Sequence, residues 1–298
     1  MPVLLEAVDK KLERSAYDSG SKNHVVTKDV LYADDTMLVA TSPAALQLHL
    51  DAIIQTGRAF GLALNASKTI LLRIRSEANV AGPDGNPIAC KDHAVYLGGL
   101  LSADGIPRTE VTRRLGEARG AFDKICTVWN HANMCKHHKT KVLDVCIFSK
   151  LLYGLESCML LKADRDRLDS FQAKCLRRIH KIPPAYVSRI SNATVRSTAN
   201  VKPLSVLLLR RQLQLYGKLA AACPDSLPRS MVFETGVAVD TQPRDWASAR
   251  ARGRPRLQWT KYMHARALEA AGSDPDRLQS LLQGAPCEWR KAVEEYCR

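Results

Sequence analysis

The sequence predicts an α+β chain in which antiparallel hairpins and one amphipathic helix come first and an all-helical region follows. Three observations carry that reading. The apolar runs Val30–Tyr32 and Met37–Ala40 flank a short polar turn, which is the pattern of a tight hairpin. A second apolar run, Val95–Leu101, is broken by the pair Gly98-Gly99. From Thr109 onward the spacing of apolar residues changes to fours and threes. The chain has 298 residues, of which 46% are hydrophobic and 25% charged. That is a globular composition, long enough for two modest domains with cores of their own.

Taken in order, Met1 to Glu13 reads as a helix with Val3, Leu4, Ala7, Val8 and Leu12 on one side, and a polar loop follows to His24. The first hairpin comes next. Ser42-Pro43 is a helix start, with a hydroxyl at the cap and proline at the first turn. Leu46, Leu50, Ile53 and Ile54 give that helix its apolar face, and Gly57 and Gly61 mark its end. Leu62 to Leu64 and Ile70 to Ile74 read as short strands around Asn65-Ala66-Ser67-Lys68. Gly82 to Pro87 is a turn between strands, leading to the second hairpin. Val111, Leu115, Ala118, Phe122, Ile125 and Trp129 then form one continuous helical stripe. Further helices are expected over Lys141–Tyr153, Asp164–Lys181, with Pro183-Pro184 as its stop, and Leu204–Leu219. A loop-rich linker covers Asp225–Ser248, and the stretch from Tyr262 to Arg298 returns to helix with Trp289 packed inside.

Charge narrows the function classes. Lys and Arg outnumber Asp and Glu by 44 to 30, a net charge of +14 with a sequence pI near 9.5. A polyanion is the natural partner of such a chain, because each phosphate neutralised releases condensed counterions. No uninterrupted apolar span suits a membrane. The nine cysteines (90, 126, 135, 146, 158, 175, 223, 287, 297) are scattered without paired spacing, and no secretory signal opens the chain. Free thiols in an intracellular, reducing compartment are therefore expected. His131, Cys135, His137, His138 and Cys146 lack the spacing of a closed zinc site, so loop histidines and packed thiols are expected there.

Chemistry concentrates at Asp34 and Asp35. Adjacent carboxylates at a turn repel one another unless a cation neutralises them, and Mg²⁺ prefers carboxylate oxygens while sharing substrate phosphates. A two-ion arrangement of that kind aligns an attacking hydroxyl with a leaving pyrophosphate. A plain polar turn is the competing reading for an isolated acid pair. Lys174, Arg177, Arg178, His180 and Lys181 form a basic cluster read as phosphate-contacting, with a solvated charged face as its alternative. Arg250, Arg252, Arg254 and Arg256 alternate so that an extended strand would align them, with Trp259 and Tyr262 as stacking surfaces; a flexible basic tail is the alternative.

Tyr32-Ala33-Asp34-Asp35 between two apolar strands resembles the catalytic hairpin of non-LTR (LINE-type) retrotransposon reverse transcriptases. The resemblance continues through Gly61-Leu62-Ala63-Leu64-Asn65-Ala66-Ser67-Lys68-Thr69, Tyr96-Leu97-Gly98-Gly99-Leu100 and Leu152-Tyr153-Gly154-Leu155-Glu156-Ser157. It extends further through Lys174-Cys175-Leu176-Arg177-Arg178-Ile179 and Gly253-Arg254-Pro255-Arg256-Leu257-Gln258-Trp259, in matching order and approximate spacing. It implies a partial polymerase palm over residues 1–107, a helical thumb over 108–222 and a basic linker with a helical extension over 223–298. It also implies RNA-directed DNA polymerase chemistry with two Mg²⁺ ions, an RNA template, a DNA primer and deoxynucleoside triphosphates. Asp34 would bind both ions, with Asp35 beside it as a weaker ligand or electrostatic support. Tyr32 would contact template-primer, and Lys68 would protonate the departing pyrophosphate, unless it is only a solvated turn lysine. Tyr96, Gly98 and Gly99 would form the primer grip that positions the 3′ end, the other reading being a buried strand with a bulge. In that family an aspartate on an earlier palm strand shares the metals. Asp9, Asp18 and Asp29 are not placed to be it, so the chain reads as starting within the palm, without fingers, and is expected not to polymerise alone. A noncatalytic nucleic-acid-binding remnant and a pseudogene product are the alternatives.

Overall fold

The computed structural model describes residues 27–131, 133–234, 242–245 and 257–298. The helix expected over Met1–Glu13 and the arginines Arg250, Arg252, Arg254 and Arg256 lie outside the described residues. The fold is α+β, and among the described residues the short strands lie in the first part of the chain while helices dominate the rest. Two compact units divide the chain, one ending at Ile106 and the other spanning Pro107–Arg298.

In the first unit, β1 (Thr27–Tyr32) and β2 (Asp35–Ala40) pair antiparallel, from Thr27 opposite Ala40 to Tyr32 opposite Asp35. Only Ala33 and Asp34 connect them, and Ala33 takes a positive φ of 54°. Helix α1 (Pro43–Ala59) follows, with Ser42 extended at its cap and proline at its first turn. Ala45, Leu50 and Ala52 are buried on its inner side. The Gln47 amide latches a distant loop, donating to the Ala81 carbonyl at 3.1 Å and accepting from the Ala81 N–H at 2.7 Å.

Beyond α1 the structure departs from the expected strand over Leu62–Leu64. These residues stay irregular because the Leu62 N–H bonds back to the Gly57 carbonyl at 2.8 Å, which keeps this stretch on the helix end rather than in a ladder. The next strand is shorter than expected: β3 (Leu71–Leu72) pairs parallel with β4 (Cys90–Lys91). Then β5 (His93–Tyr96) and β6 (Gly99–Ser102) form a second antiparallel hairpin. The six strands among the described residues make three separate two-stranded ladders in place of one continuous sheet. Apolar strand residues are left in solvent as a result, among them Val39 at 51% and Val95 at 61% exposure.

Helices build the second unit. α2 (Arg108–His131) buries Val111, Leu115, Ala118, Phe122 and Trp129 of the stripe read from the spacing, with Cys126 buried beside a half-buried Ile125. α3 (Lys136–Leu143) begins five residues before the expected start and passes through a π-helical turn at Asp144–Phe148 into Ser149–Leu151. Its first turn, Lys136-His137-His138, is polar and gives no periodic signal of a helix start. α4 (Lys162–His180) ends on Lys181 in the left-handed region before Pro183-Pro184, as the proline pair dictates. α5 (Ala185–Ser188), α6 (Asn192–Ala199) and α7 (Leu204–Ala220) follow. The expected linker carries a short α8 (Leu227–Ser230) and a bridge between Phe233 and Pro243. α9 (Trp259–Ala270), α10 (Pro275–Gln283) and α11 (Pro286–Tyr296) complete the unit.

α7 ties this unit together. Its first half, at Leu204 and Leu208, joins the core of α2 and α4, while Leu213, Tyr216 and Ala220 join a second core with Phe233, Met263 and Trp289. Gly217 on the same helix admits the Trp289 indole, into which any Cβ would run, and the indole N–H donates to the Leu213 carbonyl at 2.9 Å. A buried ionic cluster anchors the start of α2. The Glu110 carboxylate accepts from Arg113 at 2.8 and 2.9 Å and from buried Arg114, whose guanidinium also donates to the Lys150 carbonyl at 2.9 Å.

Burial alone would push the Glu110 carboxyl up, but the hydrogen bonds from Arg113 and Arg114 outweigh it and hold the group below its ordinary value. A carboxylate depressed in the folded state adds stability above its unfolded pKa and loses it as pH falls through the folded one. Acid titration of stability should therefore show a loss beginning below about pH 4.5, and Glu110→Gln should shrink that loss while lowering stability at neutral pH. Urea denaturation across pH 3–7 checks both.

Candidate functional site

The β1–β2 turn puts Asp34 at the tip of the hairpin and Asp35 at the first position of β2, across from Tyr32. A two-residue connection matches the right-handed twist of its strands only if the first turn residue has positive φ, and Ala33 adopts it at a cost of about 1–2 kcal/mol for a residue with a Cβ. Both carboxylates are exposed, and Tyr32 is 64% exposed beside them. Among the described residues neither Asp34 nor Asp35 forms an ion pair.

The second hairpin is tied to the first. The Tyr96 hydroxyl donates to the Val30 carbonyl at 2.9 Å, so the end of β5 is fastened to β1 two residues before Tyr32. Leu97 and Gly98 form its turn, with φ of 49° and 78°. Positive φ at both central residues is what the commonest hairpin turn demands, and it explains glycine at position 98. Gly99 opens β6 with ordinary φ, and a Cβ there would meet the Tyr96 carbonyl oxygen at an ordinary 3.5 Å. The bulge of the alternative reading is absent from this hairpin, whose pairing runs unbroken from His93 opposite Ser102 to Tyr96 opposite Gly99.

Lys68 sits on a turn built by Asn65, a residue that the spacing argument had passed over. The Asn65 side-chain oxygen accepts from the Ser67 hydroxyl at 2.7 Å and the Lys68 N–H at 3.2 Å, and its carbonyl accepts from the Thr69 hydroxyl at 2.8 Å. The signal for this was the side-chain chemistry of an Asx turn. Lys68 itself is exposed and, among the described residues, pairs with no carboxylate.

Carboxylate oxygens are the right donors for Mg²⁺, and Asp34 and Asp35 offer them at an accessible tip. Among the described residues no group of three or more His, Cys, Asp and Glu side chains could enclose a metal ion. Cys135 Sγ lies 3.3 Å from His138 Nδ1 at the start of α3, a contact of two exposed side chains.

The basic cluster at the end of α4 divides on inspection. Arg177, expected to contact phosphate, is instead buried, with its guanidinium donating to the Pro183 carbonyl at 2.8 Å, Ser188 Oγ at 3.2 Å, the Ile190 carbonyl at 2.5 Å and Asn192 Oδ1 at 3.2 Å. Four internal acceptors leave it structural. Arg178 remains at the surface, paired with Asp123 at 2.7 Å and 5.7 Å above the centre of the Phe122 ring. The two aromatic residues expected to stack on a strand are also engaged inside the fold. The Trp259 N–H donates to the Glu156 carbonyl at 3.0 Å, and the Tyr262 ring lies between Arg165 and Arg266, at 5.4 and 5.3 Å. Arg252, Arg254 and Arg256, expected to line up along a strand, lie outside the described residues.

Comparison with known proteins yields one informative likeness. The chain is similar to a protein of Caenorhabditis elegans described as uncharacterized and transposon-derived, with 25% identity over 240 residues that cover 77% of this chain and 81% of that protein. No family model matches, and no solved structure matches at a significant level. Among the described residues no helix is long and apolar enough to cross a membrane.

The four acceptors of Arg177 make a direct prediction. Arg177→Gln should lower stability by about 1–3 kcal/mol, the penalty for stranding buried acceptors, and hydrogen exchange across residues 183–192 should speed up. Chemical denaturation together with exchange mass spectrometry measures both effects.

Proposed function

We propose that the chain is the palm-and-thumb portion of a LINE-type, RNA-directed DNA polymerase of transposon origin. The observation that carries the reading is the acid pair itself: Asp34 and Asp35 stand exposed at a strained two-residue turn, with Tyr32 at their side and a second hairpin fastened to the same strand through Tyr96. The likeness to a transposon-derived protein along most of both chains supports the origin. The net charge of +14 supports a nucleic-acid partner.

In this reading Asp34 and Asp35 would hold Mg²⁺, which supplies neutralisation of the phosphates when bound. Adjacent in sequence, Asp34 closes the tight turn and Asp35 opens β2, so both carboxylates stand at the same end of the hairpin. Tyr32, opposite Asp35, would lie against template-primer. Gly98 would let the strand backbone approach the second hairpin at its own position, because it carries no side chain. Lys68, exposed on its Asn65-built turn, would be a proton donor to the departing pyrophosphate.

The test is primer extension on an RNA template with Mg²⁺. Joined behind the fingers and first palm strand of a LINE-type polymerase, this chain should extend the primer, and Asp34→Ala should slow that reaction by at least about a hundredfold. Extension that survives Asp34→Ala would overturn the assignment.

A further inference from the structure

Between Ser170 and Pro224 the chain carries ten Lys and Arg and no Asp or Glu, although acids make up 30 of its 298 residues. The middle of this acid-free stretch is the segment that joins α4 to α6. At its centre is Tyr186, 81% exposed, next to Val187 at 59%. The two residues set adjacent exposed apolar side chains on a loop that is otherwise firmly built.

The loop is rigid for reasons already visible. Arg177 reaches from the last turn of α4 and holds the Pro183 and Ile190 carbonyls together with Ser188 and Asn192, fixing both ends and the middle of the segment. Pro183 and Pro184 restrict the backbone before Tyr186. Lys181 and Arg189 terminate α4 and α5 in the left-handed region, with φ of 56° and 58°. Conformations of that kind in residues with a Cβ persist only where the surroundings over-determine them, and they recur at ligand clamps. The cations of the segment also sort themselves. Arg177 is consumed internally and Arg178 is paired with Asp123, whereas Lys174, Lys181 and Arg189 are exposed and, among the described residues, face no carboxylate. His180, half-buried beside them, is held below its ordinary value by burial first and then by the ammonium of Lys136, which adds another cation at this end of the helix.

From this arrangement we infer that the α4–α6 loop is a single-stranded nucleic-acid platform on which Tyr186 stacks a base and Lys174, Lys181 and Arg189 take the flanking phosphates. A strand presents unpaired bases and a regular line of anions, the two features that an exposed aromatic ring set among unopposed cations complements. Stacking of this type is indifferent to sequence. Arg177 is then a positioning residue, holding the platform without touching the strand. The inference rests on the nucleic-acid side of the function proposed above and adds to it a site, a residue and a strandedness.

Fluorescence anisotropy of the full chain with a labelled oligouridine of about 16 nucleotides tests it. Tyr186→Ala should weaken binding about tenfold with the salt slope unchanged, and Tyr186→Phe should restore most of the affinity. Lys181→Gln and Arg189→Gln should each reduce the log–log salt slope by about 0.7. Circular dichroism guards against a folding artefact, although so exposed a ring has little part in stability. If the wild-type chain binds and Tyr186→Ala binds equally well, the platform is overturned while the nucleic-acid reading stands. If the wild-type chain does not bind, both are overturned. Self-association in sedimentation that Tyr186→Ala abolishes, or Tyr186-dependent binding to anionic vesicles without oligonucleotide binding, would likewise overturn the inference by assigning the surface to a second copy or to a membrane.

Discussion

The position of both carboxylates depends on a single backbone constraint, the two-residue turn at Ala33 and Asp34. Side chains alternate between the faces of a strand, so a slip of one residue in the pairing of β1 with β2 would carry Asp35 to the opposite face and move Asp34 off the tip. A tight turn with positive φ at Ala33 forbids that slip, since a longer loop would permit several registers. The strain at Ala33 is the physical counterpart of the function proposed for its neighbours. The Tyr96–Val30 hydrogen bond extends the same logic to the second hairpin, whose own turn is fixed by Leu97 and Gly98.

The helical unit solves a different problem, which is how to carry a large excess of cations and still form cores. Some arginines are drawn inward and held by hydrogen bonds: Arg114 by Glu110 and the Lys150 carbonyl, Arg177 by four acceptors of the following loop. Charges treated this way become part of the framework, because a buried guanidinium is tolerated only when fully hydrogen-bonded. Others, among them Lys174, Lys181 and Arg189, are exposed. Whether an arginine near a basic cluster is structural or functional is thus decided by the acceptors around it and not by its place in the cluster.

That distinction marks the limit of what the sequence could reveal. The hairpin with Asp34 and Asp35 at its tip was legible, because alternation and a two-residue turn are local signals. So were the stripe from Val111 to Trp129 and the stop at Pro183-Pro184, which depend on periodicity and on the geometry of proline. The inward turn of Arg177 was not legible, since its acceptors lie 6 to 15 residues along the chain in an irregular segment. Nor was the engagement of Trp259 and Tyr262 by Glu156 and Arg165, groups about a hundred residues away. The start of α3 was missed because its first turn is polar, and the strand expected over Leu62–Leu64 failed because β propensity is weaker than the hydrogen bond that holds Leu62 to the helix end.

The central claim is that Asp34 and Asp35 hold the metal ion of nucleotide addition, and metal-directed cleavage tests it on the chain as it stands. Fe²⁺ replaces Mg²⁺ on oxygen ligands and, with ascorbate and peroxide, cuts the backbone beside the ion. With primer-template and a deoxynucleoside triphosphate present, the account predicts cleavage at the β1–β2 turn around residues 33–36, competed by Mg²⁺ and lost in Asp34→Ala. Cleavage confined to other segments, or undiminished in Asp34→Ala, would contradict it.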